Sequence, residues 1–251
     1  MNDLAVQMEW HELPCQRKQP AMSENTRPTE LKLYPNRRYA VLTGDVVGSS
    51  KLDPMSRRAL PDALKKASAA ARSVFKRTIP LEADIFRGDS WQVVVADSHL
   101  GLRVALFFRA YLRGHWLDAG LDTRIAIGIG AISFLPKQRV SQGDGPAFRA
   151  SGELLESMPK ARRLRLSIED RERLAGVDAV VALVDALMNR WTQRQALAVV
   201  GALKGQKQEE IAKSWAPPVK QQVIARHLQQ ANWEVIASEG LSYVENMLRE
   251  L

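Results

Sequence analysis

Apolar residues recur along this chain with two periods, alternating or every three to four positions, and the switches between them mark out elements. Residues 39–47 form a nearly continuous apolar run of strand length that ends around Gly44-Asp45. Such a run predicts a buried central strand closing on a glycine turn. Asp53-Pro54 then supplies an N-cap with proline at the first helical position. Leu64, Ala67, Ala71 and Phe75 follow at helical spacing, with Pro61 expected to restart or kink the helix. Residues 81–86 and 90–96 read as strands joined by the turn Arg87-Gly88-Asp89. Residues 100–117 place Leu102, Ala105, Leu106, Phe108, Leu112 and Trp116 on or near one helical face, 122–134 read as a strand with Gly128 and Gly130, and 145–158 read as a helix. Strand, helix, strand, strand, helix, strand is the ferredoxin-like βαββαβ order of an α+β domain, an antiparallel sheet under helices. That topology, rather than the spacing itself, brings Asp45 near Asp89.

The pattern changes after residue 158. Residues 160–173 are dense in charge and read as a solvated strand and connector. An apolar helix at 177–188 and Trp191 follow. Thr192 caps a helix over 193–203 that Gly205 ends, 206–214 is a short helix, and Ala216-Pro217-Pro218 is a tight turn. Pro218 is expected to open a helix at 219–232, because proline suits a first helical turn. This is the layout of a helix-turn-helix. The outer face of its second helix carries Lys220, Gln221, Gln222 and Arg226, residue types that read base edges or grip phosphate. Between Trp191 and Trp233 stand six Lys or Arg against two Glu. A helical docking bundle with an ordinary polar face fits the same pattern. A last amphipathic helix at 241–251 is a candidate dimer element, and a homodimer is expected. Residues 1–37 read as a disordered or loosely docked tail, with 5–13 as a short docking helix. The expected units are thus 1–37, 38–176 and 177–251.

Composition adds four constraints. The 251 residues are 45% hydrophobic and 25% charged, as in ordinary globular proteins. A net charge of +8 and a pI near 9.8 make a polyanion such as double-stranded DNA a plausible partner. The single cysteine, Cys15, rules out an internal disulfide and fits a reducing compartment. No run reaches the roughly 18–20 apolar residues of a membrane span, and no signal-peptide pattern opens the chain, so a cytoplasmic location is expected.

Two aspartates at neighbouring strand ends, beside glycines, suit Mg2+ or Mn2+, hard ions that take oxygen ligands and fill the rest of their shell from phosphate and water. Gly48-Ser49-Ser50 can offer backbone N–H groups to a phosphate and Lys51 adds charge. Gly-Asp pairs are also common turn chemistry. Thr43-Gly44-Asp45-Val46-Val47-Gly48-Ser49-Ser50 resembles the first metal-binding stretch of class III nucleotide cyclases, Gly88-Asp89-Ser90-Trp91-Gln92 their second, and Arg124-Ile125-Ala126-Ile127-Gly128-Ile129-Gly130 the strand that follows. More closely, about residues 38–245 resemble the SatD family. Gly143-Asp144-Gly145-Pro146-Ala147-Phe148-Arg149-Ala150 and Trp191-Thr192-Gln193-Arg194-Gln195 are part of that resemblance.

The resemblance implies a cyclase-like palm domain that binds a nucleoside triphosphate with Mg2+ or Mn2+ at Asp45 and Asp89. It also implies where this chain departs. Cyclases carry an asparagine and an arginine on the helix after the third motif; Phe148 and Gly152 stand there, and neither offers a side-chain donor. Arg149, next to Phe148, is the candidate substitute. Asp84 is the candidate contact to the base. SatD-type proteins usually carry an acidic residue where Ser90 stands. Three functions stay open: a nucleotide-responsive DNA-binding regulator, an active cyclase or nucleotidyl enzyme with an accessory helix-turn-helix, and a non-catalytic scaffold.

Overall fold

The computed structural model of the chain describes residues 32–34, 36–116, 121–168 and 171–251, and of residues 171–174 the backbone alone. Nearly all of the expected tail, with the helix at 5–13 and Cys15, lies outside the described residues.

Five strands form one sheet in the order β2-β3-β1-β4-β5. They are β1 (Tyr39–Val46), β2 (Asp84–Phe86), β3 (Ser90–Val95), β4 (Thr123–Gly130) and β5 (Leu164–Ser167). The first four are antiparallel throughout, with β1 between β3 and β4. This is the ferredoxin-like order the hydrophobic pattern predicts. The fifth strand is an addition, parallel to β4 at the sheet edge. Its four residues alternate buried Leu164 and Leu166 with half-buried Arg165 and Ser167, so the strand expected in this charge-dense stretch is half in the core rather than solvated.

Helices α1 (Pro54–Val74) and α2 (Gly101–His115) cover one face, and α3 (Pro146–Glu156) covers the other. Asp53 caps α1, its carboxylate accepting from the Met55 and Ser56 N–H groups. Pro61 neither restarts nor interrupts α1, which runs through it as one helix. Leu60, Leu64, Ala67 and Ala71 are buried on either side of it, so core packing offsets the one backbone hydrogen bond that proline removes. Helix α2 is buried over most of its length and carries Phe107 and Phe108 into the core, each worth about 1.5–3 kcal/mol of burial. Trp91 of β3 stacks on Phe108 with ring centroids 4.7 Å apart. On the opposite face α3 approaches β4 so closely that a Cβ at Gly128 would lie 2.3 Å from the Ala147 carbonyl oxygen.

Beyond β5 come α4 (Arg171–Asn189), α5 (Gln193–Leu203), α6 (Gln208–Ser214), α7 (Gln221–Gln230), α8 (Trp233–Val235), a π-helical stretch (Ile236–Leu241) and α9 (Ser242–Arg249). Helix α4 begins six residues before the expected apolar run at 177, so the 176/177 boundary falls inside a helix. One cluster of buried residues extends from Ala40 of β1 to Leu248 of α9 without a break at that point. Helix α2 joins the halves. It packs on α5 through Gly114, where a Cβ would meet the Leu197 side chain at 3.0 Å, and on α9 through Arg103, bonded to Glu245 at 2.6 Å. Pro218 does not open α7. That helix starts at Gln221 with Lys220 as N-cap, because Val219 is held outside it by an N–H bond to the Ala212 carbonyl. Among the described residues no helix is long and apolar enough to cross a membrane.

Candidate functional site

The alternation of β1 sorts its side chains between the two faces. Ala40, Leu42 and Val46 join the core beneath α1 and α2, while Tyr39 and Val41 join the α3 side. Thr43 and Asp45 continue that second face as its polar end. Register places Thr43 opposite Gln92 and Asp45 opposite Ser90 on β3, and Asp45 opposite Arg124 on β4. A buried chain of hydrogen bonds runs across this face: the Gln92 amide donates to Thr43 Oγ1 at 2.8 Å, and Thr43 Oγ1 meets Ser151 Oγ of α3 at 2.8 Å.

One step further along, the sheet opens to solvent and carries charge. The Arg124 guanidinium grips the Asp45 carboxylate in fork geometry, Nε to Oδ1 at 2.9 Å and Nη2 to Oδ2. That hydrogen bond, together with the Asp45 charge, raises the Arg124 pKa above its ordinary value despite partial burial. Asp89 sits immediately beyond the pair, its carbonyl accepting the Val46 N–H at 3.1 Å. Its carboxylate accepts from Ser49 Oγ at 2.5 Å and from Ser90 Oγ at 3.3 Å. Asp45 and Asp89 are thus brought to neighbouring positions by the β1–β3 pairing and by the loop that follows β1.

That loop turns on Gly48, whose φ of +72° is left-handed and leads into a short 3-10 turn, Ser49–Lys51. Gly48, Ser50 and Lys51 are exposed and Ser49 is half-buried against Asp89. The four expected phosphate contacts therefore lie beside the two aspartates. Asp84 does not. It stands on β2, two strands from Asp45, and its carboxylate accepts the N–H and hydroxyl of Ser141, fastening the 3-10 turn Val140–Gln142 to the sheet.

The three positions on α3 have distinct surroundings. Phe148 is buried with the apolar cluster of Tyr39, Val41 and Leu135. Gly152 faces open space: a Cβ there would meet nothing within 4 Å. Arg149 is exposed and bonds Asp144 at 2.6 Å on the first turn of α3. That turn lies over Gly130, which pairs with Tyr39 at the other end of β1 from Asp45. The structure therefore does not bring Arg149 to the aspartates.

The metal fit can be judged from the donors. Among the described residues no three or more His, Cys, Asp or Glu come together so that they could hold a metal ion. Asp45 and Asp89 alone suit an ion that takes one or two carboxylates and draws its other ligands from phosphate and water. The Arg124 fork uses one lone pair on each Asp45 oxygen and leaves the others for a cation.

Sequence reasoning places Arg124 in a strand motif and misses its pairing. It also misses the cluster behind it. Thr123 Oγ1 donates to the Asp45 carbonyl at 2.7 Å, and the Asp122 carbonyl accepts the Val47 N–H at 2.8 Å. The Asp122 carboxylate is held by the fully buried Arg109 of α2 at 2.7 and 2.8 Å. Arg109 also reaches Asp185 at 2.7 Å and Asn189 at 2.5 Å on α4. Strand alternation is the available signal for Arg124, since it shares a face with Asp45 once β1 and β4 are paired in register.

In the C-terminal half, α5, α6 and α7 share a small core of Ala198, Ile211, Ala212 and Ile224. Trp191, in the main core, donates its indole N–H to the Ala231 carbonyl just after α7 at 2.9 Å. Lys220, the N-cap of α7, and Gln221, Gln222 and Arg226 within the helix are all exposed. Gln221 bonds Gln208 of α6 at 3.2 Å.

No family model matches the chain, and no curated protein matches it. Solved structures similar to part of it include a bacterial light-regulated adenylyl cyclase, at 14% identity and a TM-score of 0.39, covering 52% of this chain and 43% of that one. The adenylyl cyclase CyaB from P. aeruginosa is similar at 16% identity and a TM-score of 0.37, over 53% of this chain and 78% of that one. The guanylyl cyclase Cya2 is similar at 15% identity and a TM-score of 0.35, over 52% and 75%. The ferredoxin-like order itself stands on the strand pairings described above.

Proposed function

We propose that the chain binds a nucleoside triphosphate with Mg2+ or Mn2+ at Asp45 and Asp89, and that its helical half is a DNA-binding helix-turn-helix whose affinity responds to that ligand. This keeps the SatD-type reading of the sequence. The observation that carries it is the meeting of Asp45, Asp89 and the Gly48–Lys51 loop at the open end of the central strand. Arg124 fixes the Asp45 carboxylate and Ser49 fixes Asp89, so both are positioned before any ligand arrives. A bound divalent ion supplies charge neutralisation for the triphosphate. Gly48, Ser49 and Ser50 are placed to offer backbone donors, and Lys51 a cation.

The same geometry argues for binding rather than fast turnover. Phe148 is in the core, Gly152 has no side chain and Arg149 is fastened at the far end of α3. Each missing transition-state donor typically costs on the order of 10²–10³ in rate.

For DNA, α7 presents Lys220, Gln221, Gln222 and Arg226 on one exposed stretch, and a homodimer reading two half-sites gives the needed interface. Titration of labelled genomic fragments, including the protein's own promoter region, tests the reading. We expect saturable binding that shifts severalfold when Mg2+ and nucleotide are added, with DNA shifting nucleotide affinity by the same factor. Binding no tighter than to random DNA in both conditions overturns it.

A further inference from the structure

A second polar cavity lies away from the aspartates, where α2 meets α5 and α6. It encloses about 450 Å³, within the range of small-molecule sites. Its walls come from the two halves of the molecule: His115 from the end of α2, a stripe of α5 from Gln193 to Lys204, and Ile211 to Ala216 at the end of α6. The charge on these walls has one sign. Arg194 and Lys204 line the cavity, no carboxylate does, and neither cation has an ion-pair partner among the described residues. The Arg194 guanidinium lies over the Trp215 ring, 5.2 Å from its centroid. Stacking uses the face of the guanidinium and leaves its N–H edge free for an anion. Leu197, Ile211 and the Trp215 ring supply apolar lining beside these cations. Gly201 keeps α5 close enough to form that lining, since a Cβ there would meet Ile211 at 2.6 Å.

We propose that this cavity binds a small organic anion, its carbon body against Leu197, Ile211 and Trp215 and its phosphate or carboxylate held by Arg194 and Lys204. The site is separate from the carboxylate pair and does not depend on the nucleotide reading. Trp215 also begins the segment that leads to Lys220 and α7, so an occupant touches the residues that set how α7 leaves α6.

Phenyl phosphate tests the phosphate form and benzoate the carboxylate form, titrated calorimetrically into the full chain in metal-free buffer so that the aspartates contribute nothing. One equivalent of at least one of them should bind with a Kd below about 1 mM, and inorganic phosphate should bind at least about tenfold more weakly because it lacks the carbon body. Arg194→Gln and Lys204→Gln should each weaken binding about tenfold or more, the loss expected for one charge-assisted hydrogen bond. Both side chains are exposed, so unchanged thermal unfolding checks that the variants are folded. Lys65→Gln on the outer face of α1 should leave affinity unchanged. Absence of saturable binding by the parent, equal affinity for inorganic phosphate, or parent-like affinity in both variants overturns the proposal.

Discussion

Arg109 and Arg124 each hold an aspartate through both arms of the guanidinium, yet the side chain of one has no exposure and that of the other keeps 28%. They are close in the fold. Asp122 and Arg124 flank Thr123, whose hydroxyl is bonded to the Asp45 carbonyl. Around Arg109 every arm is taken, by Asp122, Asp185 and Asn189, on elements 13 to 80 residues away in sequence. Burial alone would lower its pKa, but hydrogen bonding to Asp122 and the charges of Asp122 and Asp185 raise it above the ordinary value. The group stays charged and ties α2, β4 and α4 together. Around Arg124 solvent reaches the Asp45 carboxylate, and two lone pairs stay available. The difference teaches that burial, not the pairing itself, separates a structural clamp from a carboxylate that can still receive a ligand.

The largest effect should come from applying one substitution to both arginines. Arg109→Met removes the closest cation from Asp122 and from the buried Asp185, leaving only the longer contacts of Arg113 and Arg162 at 3.3 Å, and should cost about 3 kcal/mol of stability, a large part of the total for most domains. Arg124→Met breaks a partly exposed pair and should cost under about 1 kcal/mol. Urea unfolding of the two variants measures both. Equal losses would dissolve the distinction.

A smaller effect concerns acid. His99, His115 and His227 all have pKa values lowered from 6.5, each mainly by burial. The unfolded chain therefore takes up protons at a higher pH than the folded one. Stability should be level above about pH 7 and fall as pH drops through about 6.5, ceasing to fall once the folded histidines also protonate. Thermal midpoints between pH 7.5 and 5.5 show this, and replacing the three histidines with glutamine should flatten the slope. An unchanged slope would assign the acid sensitivity to other groups.

How much of this is legible in the sequence follows from the range of each interaction. The strands β1, β3 and β4 declare themselves because each is an apolar run that ends in glycine or a turn. The caps at Asp53 and Thr192 are local, and the sequence suffices to find them. The start of α7 is misplaced by two residues because Pro218 is compatible with a helix start, and only the long-range bond from Val219 to Ala212 prevents one. Strand β5 falls in the stretch read as a solvated strand and connector; its burial is not legible, because Arg163 and Arg165 read as solvated until a parallel neighbour buries Leu164 and Leu166. Asp45 and Asp89 stand out through their Gly-Asp turns. Their partner Arg124 does not, since the pairing exists only once β1 and β4 are in register. Arg109 is harder still: one of three arginines on α2, with Arg103 and Arg113, it looks like a side chain reaching for water, and its three partners lie 13 to 80 residues away.

The most direct measurement of the central claim is calorimetric titration of each of the four nucleoside triphosphates, with and without Mg2+ or Mn2+, into the parent, Asp45→Ala and Asp89→Ala chains. The account predicts metal-dependent binding of at least one nucleotide by the parent, its loss in both variants, and unchanged folding of each. Binding of nucleotide and metal by both variants at parent affinity would contradict it.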